Sequence, residues 1–318
     1  MSRAAVHSCT LNTGAKMPAV GVGCWFQRPV EAENQETYDM VANALKYGYR
    51  HIDTAFGYGN EQAVGKAVRD SGIPRQEIFV TTKLTNSYHG KVQQGFEESF
   101  KALNIDYIDL FLVHWPQGED PETGKTIPKG QSPTFVDTWK NMEKLVGPRC
   151  KAIGVSNFSV KNLEILLKEA KVVPAANQVE SHIYLPQASL DKYCKDKGIV
   201  LTAYSPLGQP ASGKSSPILD EPLVKELAKK YDTQPGTILI SWVAQRPNWN
   251  TVPKSSNPAR LKANFEIVKL DQADHDALSA IHKESGKTTS LVDYAEKMKK
   301  ERVVFGWSVE DMGWENLD

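Results

Sequence analysis

The chain has 318 residues, of which 40% are hydrophobic and 24% are charged, a composition typical of a globular protein with one sizeable core. Its 38 Lys and Arg residues balance 38 Asp and Glu residues, so no overall basic field would attract nucleic acid or anionic lipid. We therefore expect one domain over residues 1–318, with no nucleic-acid partner and no membrane partner.

Signals for export and membrane insertion are weak. The N-terminal segment MSRAAVHSCTLNTG lacks the apolar core of a signal peptide, and no run of 18 apolar residues occurs in the chain. The four cysteines follow neither CxxC nor zinc-ligand spacing: Cys9, Cys24, Cys150 and Cys194. We expect reduced thiols, no metal site and a cytoplasmic location.

Short apolar or β-branched runs predict eight strands, in the order Ala19–Trp25, Tyr49–Ala55, Ile78–Leu84, Ile108–Trp115, Cys150–Phe158, Ala175–Ser181, Ile199–Gly208 and Asn250–Ser256. Apolar residues three and four apart predict helices between them: Glu36–Tyr47, Asn60–Asp70, Val92–Leu103, Phe135–Val146, Lys161–Ala170, Ala188–Lys197, Pro222–Tyr231, Gly236–Gln245 and Pro258–Phe265. This alternation predicts an α/β fold of the (β/α)₈ TIM-barrel type, which needs ~250 residues. A doubly wound sheet is the rival, but GVGCW lacks the third glycine of its phosphate turn.

Four polar residues lie at or just beyond the ends of three predicted strands. Asp53 and Tyr58 belong to YRHIDTAFGYGNE, Lys83 to IFVTTKL and His114 to IDLFLVHWP. Taken singly, an Asp–Lys pair, a tyrosine or a core histidine is more often structural than catalytic. Reactive residues of parallel βα units collect at the C-terminal strand ends, so we expect the four to lie together.

The four residue types suit the reduction of a carbonyl. Tyr58 is the candidate general acid, with an ordinary pKa of about 10. The positive charge of Lys83 would lower that pKa. Asp53 would hold Lys83 as an ion pair. His114 would orient the carbonyl and donate a hydrogen bond to its oxygen.

Seven motifs resemble the successive signatures of the aldo-keto reductases: GYRHIDTAFGYGNEQAVGKAV, IFVTTKL, DLFLVHWP, GVSNFS, NQVESHIYLPQ, AYSPLG and VPKSSNPARLKANF. They run in order from about Leu11 to Ile267 and are most similar to the aldehyde and aldose reductase branch, which includes fungal glycerol dehydrogenase-like and xylose reductase-like members. The resemblance implies a monomeric barrel that binds NADPH and reversibly reduces aldehydes or ketones, sugar and polyol aldehydes among them. The alternative is a barrel kept as a non-catalytic NADPH-sensing or binding subunit.

One end of the cofactor is expected near the last predicted strand. Lys254 and Arg260 place two cations beside a helix start at Pro258, which favours a phosphate site. In the resembling family this segment holds the 2′-phosphate of NADPH, and Asn264 matches an adenine-side asparagine. Ala263 stands where the family has a glutamate, which leaves some use of NADH open.

The resemblance also assigns the nicotinamide end. It implies that Tyr204 stacks on the nicotinamide ring, that Ser156, Asn157 and Gln178 bind the carboxamide, and that Ser205 and Leu207 cover the pyrophosphate. Phe26 stands where several relatives carry a lysine, so one charge contact is expected to be missing. The remaining expected cofactor contacts are Gly23, Cys24, Trp25, Asp53, Pro206, Ser255 and Ser256.

The expected substrate pocket is aromatic and mostly apolar. Its expected residues are Trp25, Phe26, Tyr58, His114, Trp115 and Trp307. The last of these belongs to a C-terminal specificity tail of about residues 305–318, which also carries Met312 and Trp314 and is expected to fold across the barrel mouth. The Gly/Pro-rich loop Pro116–Pro133, directly after the His114 strand, is expected on the same face.

Overall fold

The chain forms a closed barrel of eight parallel strands. The computed structural model describes residues 8–26, 28–31, 34–209, 215–284, 286–292 and 294–315. A hairpin of β1 (Ser8–Thr10) and β2 (Lys16–Pro18) comes first. The barrel strands, each paired in parallel with the next, are β3 (Val22–Gly23), β4 (His51–Asp53), β5 (Phe79–Leu84), β6 (Leu110–Val113), β7 (Ile153–Ser156), β8 (Ala176–Glu180), β9 (Val200–Tyr204) and β10 (Trp249–Thr251).

The last strand closes the sheet onto the first. Val20 forms a parallel bridge with Thr251, Gly21 N donates to Thr251 O at 2.8 Å, and Thr251 N donates to Ala19 O at 2.9 Å. The predicted (β/α)₈ barrel is therefore confirmed. The first predicted strand, Ala19–Trp25, is regular only over Val22–Gly23, although Val20 still bridges to Thr251 and Cys24 N still donates to Asp53 O.

Helices follow each barrel strand and pack around the outside. They are α1 (Gln35–Tyr47), α2 (Glu61–Asp70), α3 (Val92–Leu103), α4 (Phe135–Met142), α5 (Val160–Leu167), α6 (Ala188–Lys197), α7 (Pro222–Lys230), α8 (Pro235–Ala244) and α9 (Pro258–Phe265). The predicted helix Phe135–Val146 ends as an α-helix at Met142 and continues as a 3₁₀ turn over Glu143–Leu145. Both α7 and α8 lie between β9 and β10, so the barrel keeps its alternation with one extra helix.

Side chains alternate along β6 between the barrel interior and the helices. Leu110 and Leu112 belong to a buried cluster with Met17 of the hairpin, whereas Phe111 and Val113 belong to the cluster beneath the helices. The hairpin fills the N-terminal end of the barrel, where Cys9 Sγ lies 2.8 Å from Trp249 O. The opposite end, where the strands finish, is therefore the open one.

The C-terminal segment adds structure that the periodicity did not predict. It contains α10 (Gln272–Ala280), α11 (Ala295–Glu301), a two-stranded pair of β11 (Val303–Val304) and β12 (Trp307–Ser308), and α12 (Val309–Met312). This segment is joined to the loop after β6, since Gln117 Nε2 donates to Val304 O at 2.9 Å and Thr126 Oγ1 to Phe305 O at 2.8 Å. The loop and the tail therefore lie together at the mouth.

The state of the cysteines and the apolarity of the helices complete the description of the fold. The four cysteines are buried and free as thiols: Cys9, Cys24, Cys150 and Cys194. Among the helices of the described ranges, none has the length and apolarity that crossing a bilayer requires.

Candidate active site

The barrel brings the four predicted polar residues together at its open end. Asp53 is the last residue of β4, Lys83 the penultimate residue of β5, and His114 directly follows β6. Tyr58 lies on a 3₁₀ turn, residues 56–58, that follows β4 and ends at Gly59 with a φ of 70°. Lys83 pairs in register with Leu112, whose side chain points into the barrel. Because paired residues of neighbouring strands point to the same face of a sheet, the Lys83 side chain also points into the barrel.

Lys83 is the centre of this cluster and is fully buried. Its Nζ donates to Asp53 Oδ1 and to Thr54 O, each at 2.7 Å, and lies 3.4 Å from the Tyr58 hydroxyl oxygen. A buried ammonium requires such partners, because desolvation of an unpaired charge is costly. Burial is the largest single influence and opposes the charged form, but the charges and hydrogen bonds of Asp53 and Tyr58 together outweigh it, so the pKa of Lys83 is raised and the lysine stays cationic.

Tyr58 keeps its proton at neutral pH. Burial is the largest influence and raises the pKa of the Tyr58 hydroxyl above its ordinary value, while the Lys83 charge opposes the rise. The Lys83 charge lowers this pKa, as expected, but desolvation at the mouth is the stronger effect, so the net pKa of Tyr58 lies above its ordinary value. The Lys83 charge thus acts on a Tyr58 pKa that burial has already raised.

His114 is a neutral imidazole at the rim of the cluster. Burial and then the Lys83 charge hold the pKa of His114 well below 6.5. Its ring lies edge-on to Tyr58, with centroids 5.6 Å apart. A neutral imidazole carries one N–H, so His114 can donate one hydrogen bond toward an atom that also faces the Tyr58 hydroxyl.

A second set of hydrogen bonds joins the expected carboxamide residues to the cluster. Gln178 Nε2 donates to Asp53 Oδ2 at 2.6 Å, and Ser156 Oγ donates to Gln178 O at 2.8 Å. Asn157 Nδ2 donates to His114 O at 3.0 Å and accepts, through Oδ1, from the Tyr204 hydroxyl at 2.8 Å. The two halves of the predicted site are therefore one connected network.

The expected phosphate end places two cations against one ring and a third, Arg260, close enough to act on Lys254. Lys254 Nζ lies 4.0 Å from the centroid of the Phe26 ring, and the Arg28 guanidinium carbon lies 5.6 Å from it. Partial burial lowers the pKa of Lys254, Arg28 and Arg260 add to the effect, and Glu36 opposes it. Arg28 also pairs with Glu36. Positive charge thus remains incompletely neutralised here, which suits an anion.

Local structure explains why Arg260 lies at this place. Asn257 caps α9, since its Oδ1 accepts from Arg260 N at 3.0 Å, and Pro258 occupies the first helical position. Asn264 is on the buried face of the same helix, and its Oδ1 is within 4 Å of the place where a side chain on Gly236 would begin. Leu207 borders the same gap.

The other expected cofactor residues lie on segments around the mouth. Gly23 N donates to Pro253 O at 3.1 Å and Cys24 N to Asp53 O at 2.9 Å. Ser205 has a φ of 48°, the left-handed region, and begins the turn in which Gly208 N donates to Ser205 O. By exposure, Pro206 and Ser255 are buried, whereas Trp25 and Ser256 are exposed.

Aromatic rings surround the cluster. Trp25 lies 5.1 Å from Tyr58 between ring centroids. Trp115 lies 4.7 Å from Phe305 and 6.1 Å from Trp314, both in the tail. Trp314 also borders a cavity of about 230 Å³ that Asn157 and Tyr204 line from the other side. The tail thus reaches both expected parts of the site.

Trp307 is not one of the residues that the fold brings to Trp115. It is buried beside the loop after β6, where its Nε1 donates to Ile127 O at 2.8 Å and its ring lies 6.4 Å from that of Phe135. Met312 is also fully buried in the core. These two tail residues anchor the tail, and Phe305 and Trp314 supply its faces toward the mouth.

Sequence reasoning missed Arg28, Tyr294 and Phe305. The proximity of Arg28 to Phe26 was a usable signal, because a cation two positions away can take the place of a missing lysine. Tyr294 lies within 5.7 Å of Trp115 between ring centroids. No periodicity marks it in SLVDYAEK, since its neighbours there come from distant parts of the chain.

Comparisons with known proteins agree with this geometry. The model of the Aldo/keto reductase family matches residues 19–283. Glycerol 2-dehydrogenase (NADP(+)) of Saccharomyces cerevisiae is 44% identical over 305 residues, covering 89% of this chain and 95% of that protein. Aldehyde reductase YPR1 of the same yeast is 41% identical over 300 residues, covering 89% and 93%.

Solved structures give the same result. A crystal structure of an aldo/keto reductase from Brucella melitensis matches with a TM-score of 0.75 at 39% identity, over 87% of this chain and all of that one. The aldose reductase from Schistosoma japonicum matches with a TM-score of 0.77 at 30% identity, over 90% and 93%. The family match, the relatives and the barrel with its polar cluster at the mouth show that the chain belongs to the aldo/keto reductase family of oxidoreductases.

Proposed function

We propose that the protein is an NADPH-dependent carbonyl reductase that converts aldehydes or ketones to alcohols, with Tyr58 as the general acid. The observation that carries the proposal is the buried Lys83, which lies 2.7 Å from Asp53 and 3.4 Å from the Tyr58 hydroxyl. A charged lysine placed between a carboxylate and a phenol is an arrangement that supports proton donation from the phenol to a carbonyl oxygen.

The residues divide the chemistry among them. NADPH, when bound, supplies the hydride. Tyr58 donates its hydroxyl proton to the carbonyl oxygen of the substrate, and the positive charge of Lys83 stabilises the tyrosinate that remains. Asp53 fixes the lysine, and neutral His114 donates a hydrogen bond to the same carbonyl oxygen. A phenol with a pKa of about 10 or above holds its proton at neutral pH, and the charge of Lys83 opposes the rise that burial causes and so favours release of that proton.

The residues present fit the proposed cofactor. Arg28, Lys254 and Arg260 supply positive charge beside the N-terminus of α9, which suits a phosphate group. Tyr204 offers a half-exposed ring next to Asn157, whose Oδ1 keeps a second lone pair for a carboxamide N–H. Arg28 takes the place of the charge that Phe26 lacks. Ala263 leaves the adenine side without the family glutamate, so NADPH is preferred rather than exclusive.

The proposal includes the substrate class and the setting. Trp25, Trp115, Phe305 and Trp314 give the mouth an apolar, aromatic wall that suits uncharged aldehydes, and the relatives' names add sugar and polyol aldehydes. Buried free thiols fit a reducing compartment such as the cytoplasm. The proposal includes a monomer, as the resemblance to the family implies.

The test is turnover by the unmodified protein. NADPH affinity is measured by fluorescence titration, and NADPH oxidation is followed with a small aliphatic aldehyde, a sugar aldehyde, an aromatic aldehyde and an aromatic ketone. We expect binding, and turnover of at least one aldehyde. NADPH binding without turnover of any carbonyl would instead support a non-catalytic binding subunit, and the absence of binding would exclude both.

A further inference from the structure

Tyr294 lies at the junction between the cofactor side and the substrate side of the site. Its hydroxyl oxygen lies 3.1 Å from that of Tyr204. Its ring packs edge-on against Trp115 and Phe305, with centroid distances of 5.7 and 5.2 Å. One side chain thus contacts the ring proposed to carry the nicotinamide and two rings proposed to wall the substrate.

The direction of the hydrogen bonds assigns Tyr294 a definite part. The Tyr204 hydroxyl has one hydrogen, which it donates to Asn157 Oδ1 at 2.8 Å. The Tyr294 hydroxyl is therefore the donor to the Tyr204 oxygen. The hydrogen-bond network continues from Asn157, whose Nδ2 donates to His114 O at 3.0 Å. A continuous chain of hydrogen bonds runs from the C-terminal segment to the strand end that carries His114.

The segment just before Tyr294 is fastened to the barrel. Glu180, the partner of Tyr204 in the register of β8 and β9, accepts from Ser290 Oγ and from Leu291 N, each at 2.6 Å. Leu291 O accepts from Gln209 N at 3.1 Å, in the loop that follows Tyr204. Tyr294 therefore projects from a segment held both by the strand beside Tyr204 and by the loop after it.

We propose that Tyr294 is a positioning residue that couples the substrate wall to the nicotinamide platform. The Tyr294 hydroxyl holds the Tyr204 ring in place, and the Tyr294 ring shifts when Trp115 or Phe305 shifts. The inference rests on the proposed function, since it assigns a regulatory contact to that site. Coupling of this kind is reciprocal, so a change in the substrate wall alters NADPH affinity and NADPH alters the wall.

The test is a double-mutant cycle read from NADPH binding. Tyr294→Phe removes the donor and keeps the ring, and we expect it to raise the NADPH dissociation constant about 2- to 10-fold, the size of one neutral hydrogen bond. Tyr204→Phe removes the acceptor, so the double variant should be no weaker than the weaker single variant. Tyr193→Phe, a half-buried tyrosine on α6, is the matched control and should bind as the unmodified protein does.

A second variant tests the link to the wall. Phe305→Ala touches neither hydroxyl, and because Phe305 is 49% exposed its loss should leave the fold intact. We expect it to weaken NADPH binding about twofold and to raise the KM for an aromatic aldehyde. Tyr294→Phe should lower kcat while leaving the KM for a small aliphatic aldehyde unchanged.

Three outcomes would overturn the inference. They are an unchanged NADPH dissociation constant in Tyr294→Phe or in Phe305→Ala, additive effects in the cycle, and a lowered melting temperature without any change in binding, which shows a packing role alone. The proposed function is judged separately, by turnover of the unmodified protein. A protein that binds NADPH and turns nothing over would fail that proposal while the cycle still reported on Tyr294.

Discussion

The Tyr58 hydroxyl is the group on which the proposed chemistry depends. Tyr58→Phe removes the proton and keeps the ring that lies 5.1 Å from Trp25. We expect kcat for carbonyl reduction to fall about 10²–10⁴-fold, the usual contribution of general acid catalysis, with no change in NADPH affinity. The measurement is steady-state kinetics together with a fluorescence titration of NADPH.

The matched control for this variant is Tyr88→Phe. Tyr88 lies on the neighbouring 3₁₀ turn and packs edge-on against Phe56, with centroids 5.5 Å apart. It should keep normal turnover. If Tyr58→Phe also turns over normally, another group donates the proton and the assignment is wrong.

At the scale of single residues, the sequence predicted positions better than environments. The predicted strand ends gave the positions of Asp53, Lys83 and His114, because the C-terminal ends of parallel barrel strands lie at the same edge of the sheet. The pKa of Tyr58 was not predictable, since it depends on how much water the surrounding segments exclude. Trp307 shows the same limit: a tail tryptophan was visible in the sequence, but its partner Ile127 is 180 positions away.

Helix α9 supplies the prediction at the scale of an element. Arg260 lies in its first turn, where Asn257 caps the helix. Arg260→Ala should weaken NADPH binding about 10- to 100-fold, because a hydrogen bond to a charged group contributes roughly 1.5–3 kcal/mol. NADH lacks the 2′-phosphate, so its affinity should change by less than about twofold. Binding titrations with both cofactors measure the difference.

Lys262→Ala provides the control on the same helix. Lys262 is exposed and carries the same charge two positions further on. It should leave both affinities unchanged. An equal loss for NADPH and NADH in Arg260→Ala would mean that the arginine contacts a part that the two cofactors share.

Element boundaries followed local signals where local signals existed. The predicted helices Val92–Leu103, Ala188–Lys197 and Pro258–Phe265 match the structure residue for residue. Asn104 and Gly198 end the first two in the left-handed conformation, and Asn257 caps the start of the third. In the C-terminal segment the capping residues Ser308 and Gly313 enclose only four helical residues, too few for a periodic pattern. Its strands β11 and β12 are two residues each, and its position depends on contacts with the distant loop after β6.

The prediction at the scale of the whole molecule concerns acid. Burial lowers the pKa of His51 and of His89 to about 4, against an ordinary value of 6.5. Between pH 6.5 and 4 the unfolded chain takes up these protons and the folded chain does not, so the free energy of unfolding falls as the pH falls. Each histidine should remove about 3 kcal/mol over that interval, and above pH 6.5 neither should contribute.

Urea unfolding at a series of pH values measures this loss, and His89→Gln isolates one share of it. The variant should lose about 3 kcal/mol less than the unmodified protein between pH 6.5 and 4, whatever its stability at neutral pH. Parallel curves for the two proteins would show that His89 is protonated in the folded state as readily as in the unfolded one.

The hairpin of β1 and β2 determines the end at which small molecules can enter and leave the barrel. Met17 and Cys9 close the N-terminal end of the barrel, so the open end is the one at which the strands finish. We expect the nicotinamide against Tyr204 and the substrate against Trp115, so both molecules must enter at the C-terminal ends of the strands. Cofactor and substrate would then share one route, and the order in which they bind would be set by which of them lies deeper.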